Sequence, residues 1–370
     1  MPVPLSLAEH TLHAELIEQS LDAMFDDQFP ENGSFVTRSV QGRDGAVRSY
    51  FYYQGYRPKN ADPEIKSRFS RYVGPADDPE IVQRVQRFQE IKAHRKARAH
   101  LVDALGASGL PRPPVMIGRV IEALAKAGVF RLRAVLIGTV AYQTYSGLLG
   151  MRLSRAAAMT GDVDLAKFRS ISIGVEDSTP PLLEVLRAVD PTFRAIPNRY
   201  PRYPRFASTA FANSANFRLD ILTAHRGGDE EMGEPMKLDA LAGVFGGPLG
   251  FMDFLLRAPV RSVVLYGPGV SVNAPAPERF AIHKLIVSTR RPADAVGSAK
   301  SRKDIAQSGE LILAFDQLGR ASAIESAWRE AWERGPHWRL ALQRGAAALI
   351  PEARAVLTGL SDGDVDSDAS

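Results

Sequence analysis

The 370-residue chain contains no cysteine. That excludes disulfides, thiolate catalysis, iron–sulfur ligation and cysteine-bound zinc. No apolar run approaches the ~18–20 residues that cross a bilayer. The opening residues, MPVPLSLAEH, lack the basic and apolar segments of a secretory leader. A cytoplasmic protein without a membrane span is therefore expected. Internal repeats and long low-complexity stretches are absent too. An excess of one charge is small: 46 Lys and Arg face 42 Asp and Glu, for a net +4. What is present, 45% hydrophobic and 24% charged residues, suits a folded globular chain and excludes a largely disordered one.

The small net charge conceals an uneven distribution. The last ten residues, SDGDVDSDAS, hold four Asp and no base, and read as a disordered, solubilising tail. The rest of the chain is correspondingly more basic.

Apolar spacing divides the chain. Leu12, Leu16, Ile17, Leu21, Met24 and Phe25 predict an amphipathic helix over 8–25. Val36–Val40 and Val47–Tyr53 flank an Asp44-Gly45 turn and predict a hairpin. A long helix is expected over 79–105, and another from Pro113–Pro114 to about Ala127. From about Phe130 short strands alternate with helices: strands at 133–137, 162–168, 171–175, 193–196, 206–212, 216–223, 260–266 and 270–273, and helices from Gly138 to Tyr145 and over 180–189. Helical patterns return at 277–289, 301–318, 321–333, 337–348 and 351–359. The fold class expected is α+β: a small mixed sheet with flanking helices, a helical N-terminal part carrying the hairpin, and a helical C-terminal part. The expected divisions are 1–128, 129–275, 276–360 and the acidic tail 361–370.

Three pieces of the central region bear chemistry. In Leu136-Ile137-Gly138-Thr139 a strand ends on glycine and a hydroxyl residue opens a helix. Unpaired amides and the positive helix end suit phosphate there, glycine lets it approach, and Thr139 adds a donor. Taken alone, such a turn is more often just a strand-to-helix connection. In Gly161-Asp162-Val163-Asp164-Leu165 strand alternation puts Asp162 and Asp164 on one face and Val163 and Leu165 in the core. Two adjacent carboxylates repel unless a divalent cation lies between them; the plain alternative is a pair of solvated aspartates. In Phe217-Arg218-Leu219-Asp220-Ile221 the apolar residues form a core face and Asp220 points away from it. Three carboxylates and a triphosphate could hold two Mg²⁺ ions.

Gly138-Thr139, Asp162-x-Asp164 and the later Asp220 together resemble the nucleotidyltransferase superfamily that includes DNA polymerase beta. More narrowly, VLIGTVAYQTY (135–145), TGDVDLA (160–166) and PERFAIHKLIVSTRR (277–291) are similar to a bacterial family of stand-alone nucleotidyltransferases, over roughly residues 120–320. The turn carries Thr where the superfamily often has Ser, so the hydroxyl is kept. The resemblance implies that Asp162 and Asp164 bind both metal ions, Mg²⁺ or Mn²⁺. It implies that Asp220 binds the catalytic one and helps deprotonate the acceptor, and that Gly138 and Thr139 hold the triphosphate of an NTP such as ATP. A Lys or Arg from the following helices reaches the phosphates in similar proteins. Lys284 is the first choice for it, then Lys303 and Arg291; each reads equally well as surface charge. His283 is expected to be packed or at the surface.

Other segments bear on the acceptor. Residues 38–71 hold eight Lys and Arg against three acids, with Tyr50, Phe51, Tyr52, Tyr53, Tyr56 and, adjacent, Tyr72. Helix 84–98 adds six basic residues against one acid. Together they suit RNA or DNA, or else form a core hairpin beside a solvated helix. Arg199-Tyr200-Pro201-Arg202-Tyr203-Pro204-Arg205 either clamps a nucleotide, through Arg202, or merely stiffens a loop. The expected activity is transfer of a nucleoside monophosphate from an NTP to a hydroxyl, with an RNA 3′ end favoured over a protein or small molecule. Rival readings are a binding protein on an inactive scaffold and a toxin-like transferase.

Overall fold

The computed structural model describes residues 1–23, 33–41, 47–56, 68–130, 132–154, 157–158, 161–167, 179–197, 209–224, 235–242 and 244–362. A short strand β1 (Val3–Pro4) precedes helix α1 (Leu7–Ala23), which buries Leu16 completely. Strands β2 (Ser34–Gln41), β3 (Val47–Tyr56) and β4 (Arg68–Pro75) form an antiparallel sheet in that order. The expected hairpin is thus two-thirds of a sheet; its Asp-Gly turn lies outside the described residues. Strand β4 is absent from the expected elements, because the adjacent polar pair Ser70-Arg71 breaks the alternation of RFSRYVGP and the segment ends on Gly-Pro, a turn signal. Phe35 and Tyr53 pack edge to face, centroids 5.3 Å apart, and both meet Phe88 of α2 (Pro79–Ala107) at 4.9 and 6.0 Å. One face of this sheet therefore leans on the long helix.

Helix α3 (Val115–Lys126) begins after Pro114 and buries Ile117, Val120, Ile121 and Leu124 along one stripe. The central sheet follows: β5 (Val135–Ile137), then α4 (Gly138–Leu149), β6 (Met151–Arg152, paired with β1), β7 (Asp162–Ala166), α5 (Leu182–Val189), β8 (Arg194–Ala195), β9 (Ala210–Ala212) and β10 (Arg218–Ala224). Beyond them come β11 (Met236–Leu238), β12 (Val244–Leu249), α6 (Met252–Leu256) and the hairpin β13 (Val260–Val264) and β14 (Val270–Ala274). Strand β10 pairs in parallel with β7 along one edge. Its other edge is shared by antiparallel β9 and parallel β12. β5 closes the β7 side, antiparallel, so the sheet is mixed.

The expected strand at 171–175 lies outside the described residues; the other central strands form, several with shorter ends. Strand β12 was missed because Gly246-Gly247-Pro248 reads as a turn. A Cβ on Gly246 would lie 3.0 Å from the Thr223 Cβ, so the glycine serves close strand approach.

Alternate residues of the sheet feed two cores. Leu136, Val163, Leu165, Leu219 and Ile221 pack with α3 and α5. Val135 and Ile137 point the other way and join Tyr142 and Tyr145 of α4 in a cluster that includes the C-terminal helices. These are α7 (Pro277–Ser288), α8 (Ala295–Gln317), α9 (Ala321–Glu333), α10 (Pro336–Ala347) and α11 (Pro351–Asp362). Helix α8 starts six residues before the expected position. Asp294 caps it, accepting from the Gly297 amide at 2.6 Å, and its first turns are too polar to show an apolar period.

Helices α7 and α10 touch backbone to backbone at Gly345, where an added Cβ would lie 2.4 Å from the Leu285 carbonyl oxygen. Gly345→Ala must push α10 off α7. A loss of roughly 1–3 kcal/mol of stability is expected from such overpacking, measured by urea unfolding; an unchanged midpoint would contradict this packing.

Candidate active site

The register of three strands assembles the site. Parallel pairing of β7 with β10 sets Asp164 beside Asp220 and Asp162 beside Arg218. Paired strands lie ~4.8 Å apart and in-register side chains share a face, so three carboxylates and one guanidinium occupy adjoining positions. Their face is the one opposite Val163, Leu165, Leu219 and Ile221, turned toward the C-terminal helices. Antiparallel pairing of β5 with β7 sets Ile137 opposite Asp164. The next residue, Gly138, therefore turns against that carboxylate. Its φ is +68°, and a Cβ there would lie 2.5 Å from Asp164 Oδ2. Backbone conformation and the neighbouring oxygen both demand glycine. Helix α4 starts at this point without a side-chain cap, leaving its first amides directed at the same place.

Across from the sheet stand α7 and α8. Asp162, Asp164, Asp220, Gly138, Thr139, Lys284 and Lys303, all proposed from the sequence, line one cavity of about 310 Å³, together with Arg291, His283, Lys300 and Asp304. A cavity of this size holds a small ligand. Arg202 lies outside the described residues, as do Thr160 and the rest of the Arg199–Arg205 segment.

Besides Lys300, two charged residues at the site have no role in the sequence reading: Arg218, which lies beside Asp220, and Asp304. Arg218 engages both oxygens of Asp220, with Nε at 2.9 and 2.7 Å and Nη2 at 2.7 Å. The signal was its place two residues before Asp220, on the same strand face. Asp304 is the other. It is fully buried, 2.5 Å from Lys284 Nζ and 2.8 Å from Arg291. It lies well inside α8, on the buried stripe Asp304, Gln307, Ser308 and Leu311. A search for apolar periodicity passes over a stripe that is half polar.

The electrostatics follow from crowding. Burial first, then the charges of Asp162 and Asp220, raise the Asp164 carboxyl from its ordinary range to about 7. Burial also disfavours the charged form of Asp304, but Lys284 and Arg291 outweigh it and hold that carboxyl below its usual value. Lys303 is shifted down by burial and then by Lys284, while Asp162 opposes the shift. Burial and the adjoining Lys284 keep His283 neutral, its imidazole lowered to about 3. Among the described residues no three acidic or histidine side chains converge into a finished cation cage, and Asp220 is engaged by Arg218.

A family model described as nucleotidyltransferase matches residues 115–333, more than half of the chain. No curated protein and no solved structure matches it.

The raised carboxyl carries a sign. Without added metal, folded Asp164 keeps its proton up to about pH 7, while the unfolded residue ionises near pH 4. The folded state binds more protons between these limits, so its stability falls as pH rises through them. Asp164→Asn removes this contribution. Urea unfolding in chelator is expected to show the variant gaining on the wild type from pH 4 to pH 7; a pH-independent difference contradicts the shift.

Proposed function

Because the chain belongs to this nucleotidyltransferase family, we propose that it moves a nucleoside monophosphate from an NTP to a hydroxyl acceptor. The observation that carries this reading is the register of β5, β7 and β10, which gathers the Gly138 turn and three aspartates in one cavity opposite Lys284 and Lys303. In the proposed step the acceptor oxygen bonds to the α-phosphorus. The bond from that phosphorus to the bridging oxygen breaks in line, and the electron pair leaves with pyrophosphate. Asp220 receives the hydroxyl proton. Arg218 leaves it that capacity, since Oδ2 accepts from Nε alone and a carboxylate oxygen has two lone pairs. Gly138 and Thr139 offer backbone and hydroxyl donors to the phosphates at the start of α4. Lys303 supplies positive charge, and Lys284, fixed by Asp304, supplies it from beneath.

The family implies a divalent cation, Mg²⁺ or Mn²⁺. The donors suit a hard cation, being carboxylate oxygens only; burial and then the charges of Asp162 and Asp220 raise the Asp164 carboxyl, and such a charge would relieve the repulsion. Asp162, Asp164 and Asp220 would hold it. When bound it would neutralise phosphate charge and lower the pKa of the attacking hydroxyl.

For the acceptor we infer an RNA 3′ end. The support is the face of the β2-β3-β4 sheet opposite Tyr53. It carries Arg38, Arg48, Tyr50 and Tyr52, and Arg38 lies over the Tyr52 ring at 5.0 Å. Rings and guanidinium groups on one face suit unpaired bases and phosphates. The basic helix contributes less than its charge suggests. Arg98 is buried, donating to the carbonyls of Pro268 and Gln19. In this reading residues 1–128 meet the acceptor, 129–275 carry the reaction and 276–360 supply cations.

Two experiments test these assignments. The first is incubation of the protein with α-labelled NTPs, Mg²⁺ or Mn²⁺ and total RNA. Label is expected in RNA with the wild type and at least 10³-fold less with Asp162→Ala or Asp220→Ala; full activity in either variant sinks the transfer reading. The second compares Arg38→Ala and Tyr52→Ala with the wild type in steady-state kinetics. A five- to tenfold higher KM for RNA is expected, with the KM for NTP unchanged. An unaltered KM for RNA removes this surface from the acceptor site.

A further inference from the structure

The cavity has a second wall, apolar, which the transfer chemistry leaves without a role. It is built from Leu222, Leu249, Met252, Leu255, Phe280 and Val287. Helix α7 contributes to both walls along one stripe. Phe280, His283, Lys284 and Val287, three or four residues apart, all line the cavity. Of these, Lys284 is engaged by Asp304. His283 precedes it on the helix. It is 8% exposed, and among the described residues its Nε2 is buried with no hydrogen-bond partner. A leucine would fill this position without an unmet polar atom, so a histidine that only packs is a poor choice there. Resting in the wall of a ligand-sized cavity, the ring has an obvious use for its nitrogens.

We propose that His283 is a specificity-determining residue that hydrogen-bonds the nucleoside half of the bound nucleotide, whose base and sugar lie along the apolar wall. The proposal rests on the nucleotidyl-transfer reading above. Three observations direct it to the nucleoside and not to the phosphates. Burial and Lys284 keep the ring neutral, so it offers an anion no charge. Cations already stand at the polar side in Lys284, Arg291, Lys300 and Lys303. Next to His283 on its own stripe, Val287 is a half-buried apolar surface of the kind a base or a ribose covers, and Phe280, buried against Tyr142 and Tyr145 with the Lys284 ammonium 5.1 Å from its ring centroid, backs that wall. A neutral imidazole has one N–H and one lone pair. It can therefore read either a base-edge group or a ribose hydroxyl, and a site built on such a bond rejects analogues that lack it.

The test is equilibrium binding to the full-length protein, by titration calorimetry with Mg²⁺. The probes are the four non-hydrolysable α,β-imido NTPs, their 2′-deoxy forms and inorganic tripolyphosphate. The wild type is expected to discriminate at least tenfold, between bases if the ring reads the base or against the 2′-deoxy forms if it reads the ribose. His283→Leu is expected to weaken the preferred nucleotide about tenfold, to reduce the discrimination below threefold and to leave tripolyphosphate affinity unchanged. His283→Gln, which keeps a neutral hydrogen-bonding group and a wild-type melting temperature, should recover part of the preference. Retained discrimination in the Leu variant, equal loss of tripolyphosphate binding, or a Gln variant identical to Leu overturns the assignment alone. A wild type that binds neither nucleotide nor tripolyphosphate overturns the transferase reading together with it.

Discussion

Like charges held side by side on neighbouring strands impose the main constraint on this molecule. The β7–β10 register leaves Asp162, Asp164 and Asp220 no room to separate, because their alternate neighbours Val163, Leu165, Leu219 and Ile221 are locked into the core behind them. A one-residue slip would relieve the repulsion only by exposing that core. The surroundings respond to the crowding. Arg218 pairs with Asp220, burial and then the neighbouring charges drive Asp164 toward its protonated form, and basic side chains of α7 and α8 face the sheet across the cavity. Gly138 must be glycine for the same reason, since the Asp164 carboxylate occupies the space a side chain would need.

The cations opposite are themselves held by a buried charge. Burying Asp304 is expensive, and it is offset only because Lys284 and Arg291 both reach it. That arrangement fixes the two basic groups and ties α7 to α8. The same helices share one apolar cluster with α4 and β5. The turn that opens α4 and the helices that bring Lys284 and Lys303 are thus parts of one packed body, although well over a hundred residues separate Gly138 from Lys284 in the chain.

Packing also sorted residues that composition alone had grouped. The aromatic stretch 50–53 divides by strand alternation. Tyr53 goes to a core with Phe35 and Phe88, whereas Tyr50 and Tyr52 lie on the opposite face with Arg38. The basic run of α2 divides as well, since Arg98 is consumed by two carbonyls. A count of charges could rank these segments as candidates for polyanions, but it could not say which members were already engaged.

Residues close together in the chain specify the local elements and the acidic positions. Helical and alternating periods are written in neighbouring residues, so α1, α2, α3, the β2–β3 hairpin and the C-terminal helices were legible. So was the sidedness of Asp162, Asp164 and Asp220, which follows from alternation within single strands. Elements whose signals conflict were not legible: β12 with its Gly-Gly-Pro, β4 with its weak pattern, and the polar first turns of α8. Which strands pair, and in what register, is set by the folded chain. Hence it alone set Gly138 against Asp164, Arg218 onto Asp220 and Asp304 beneath Lys284. These contacts join residues of different strands and helices. Their energies depend on burial and distance, and neither quantity exists until the sheet and the C-terminal helices close on each other.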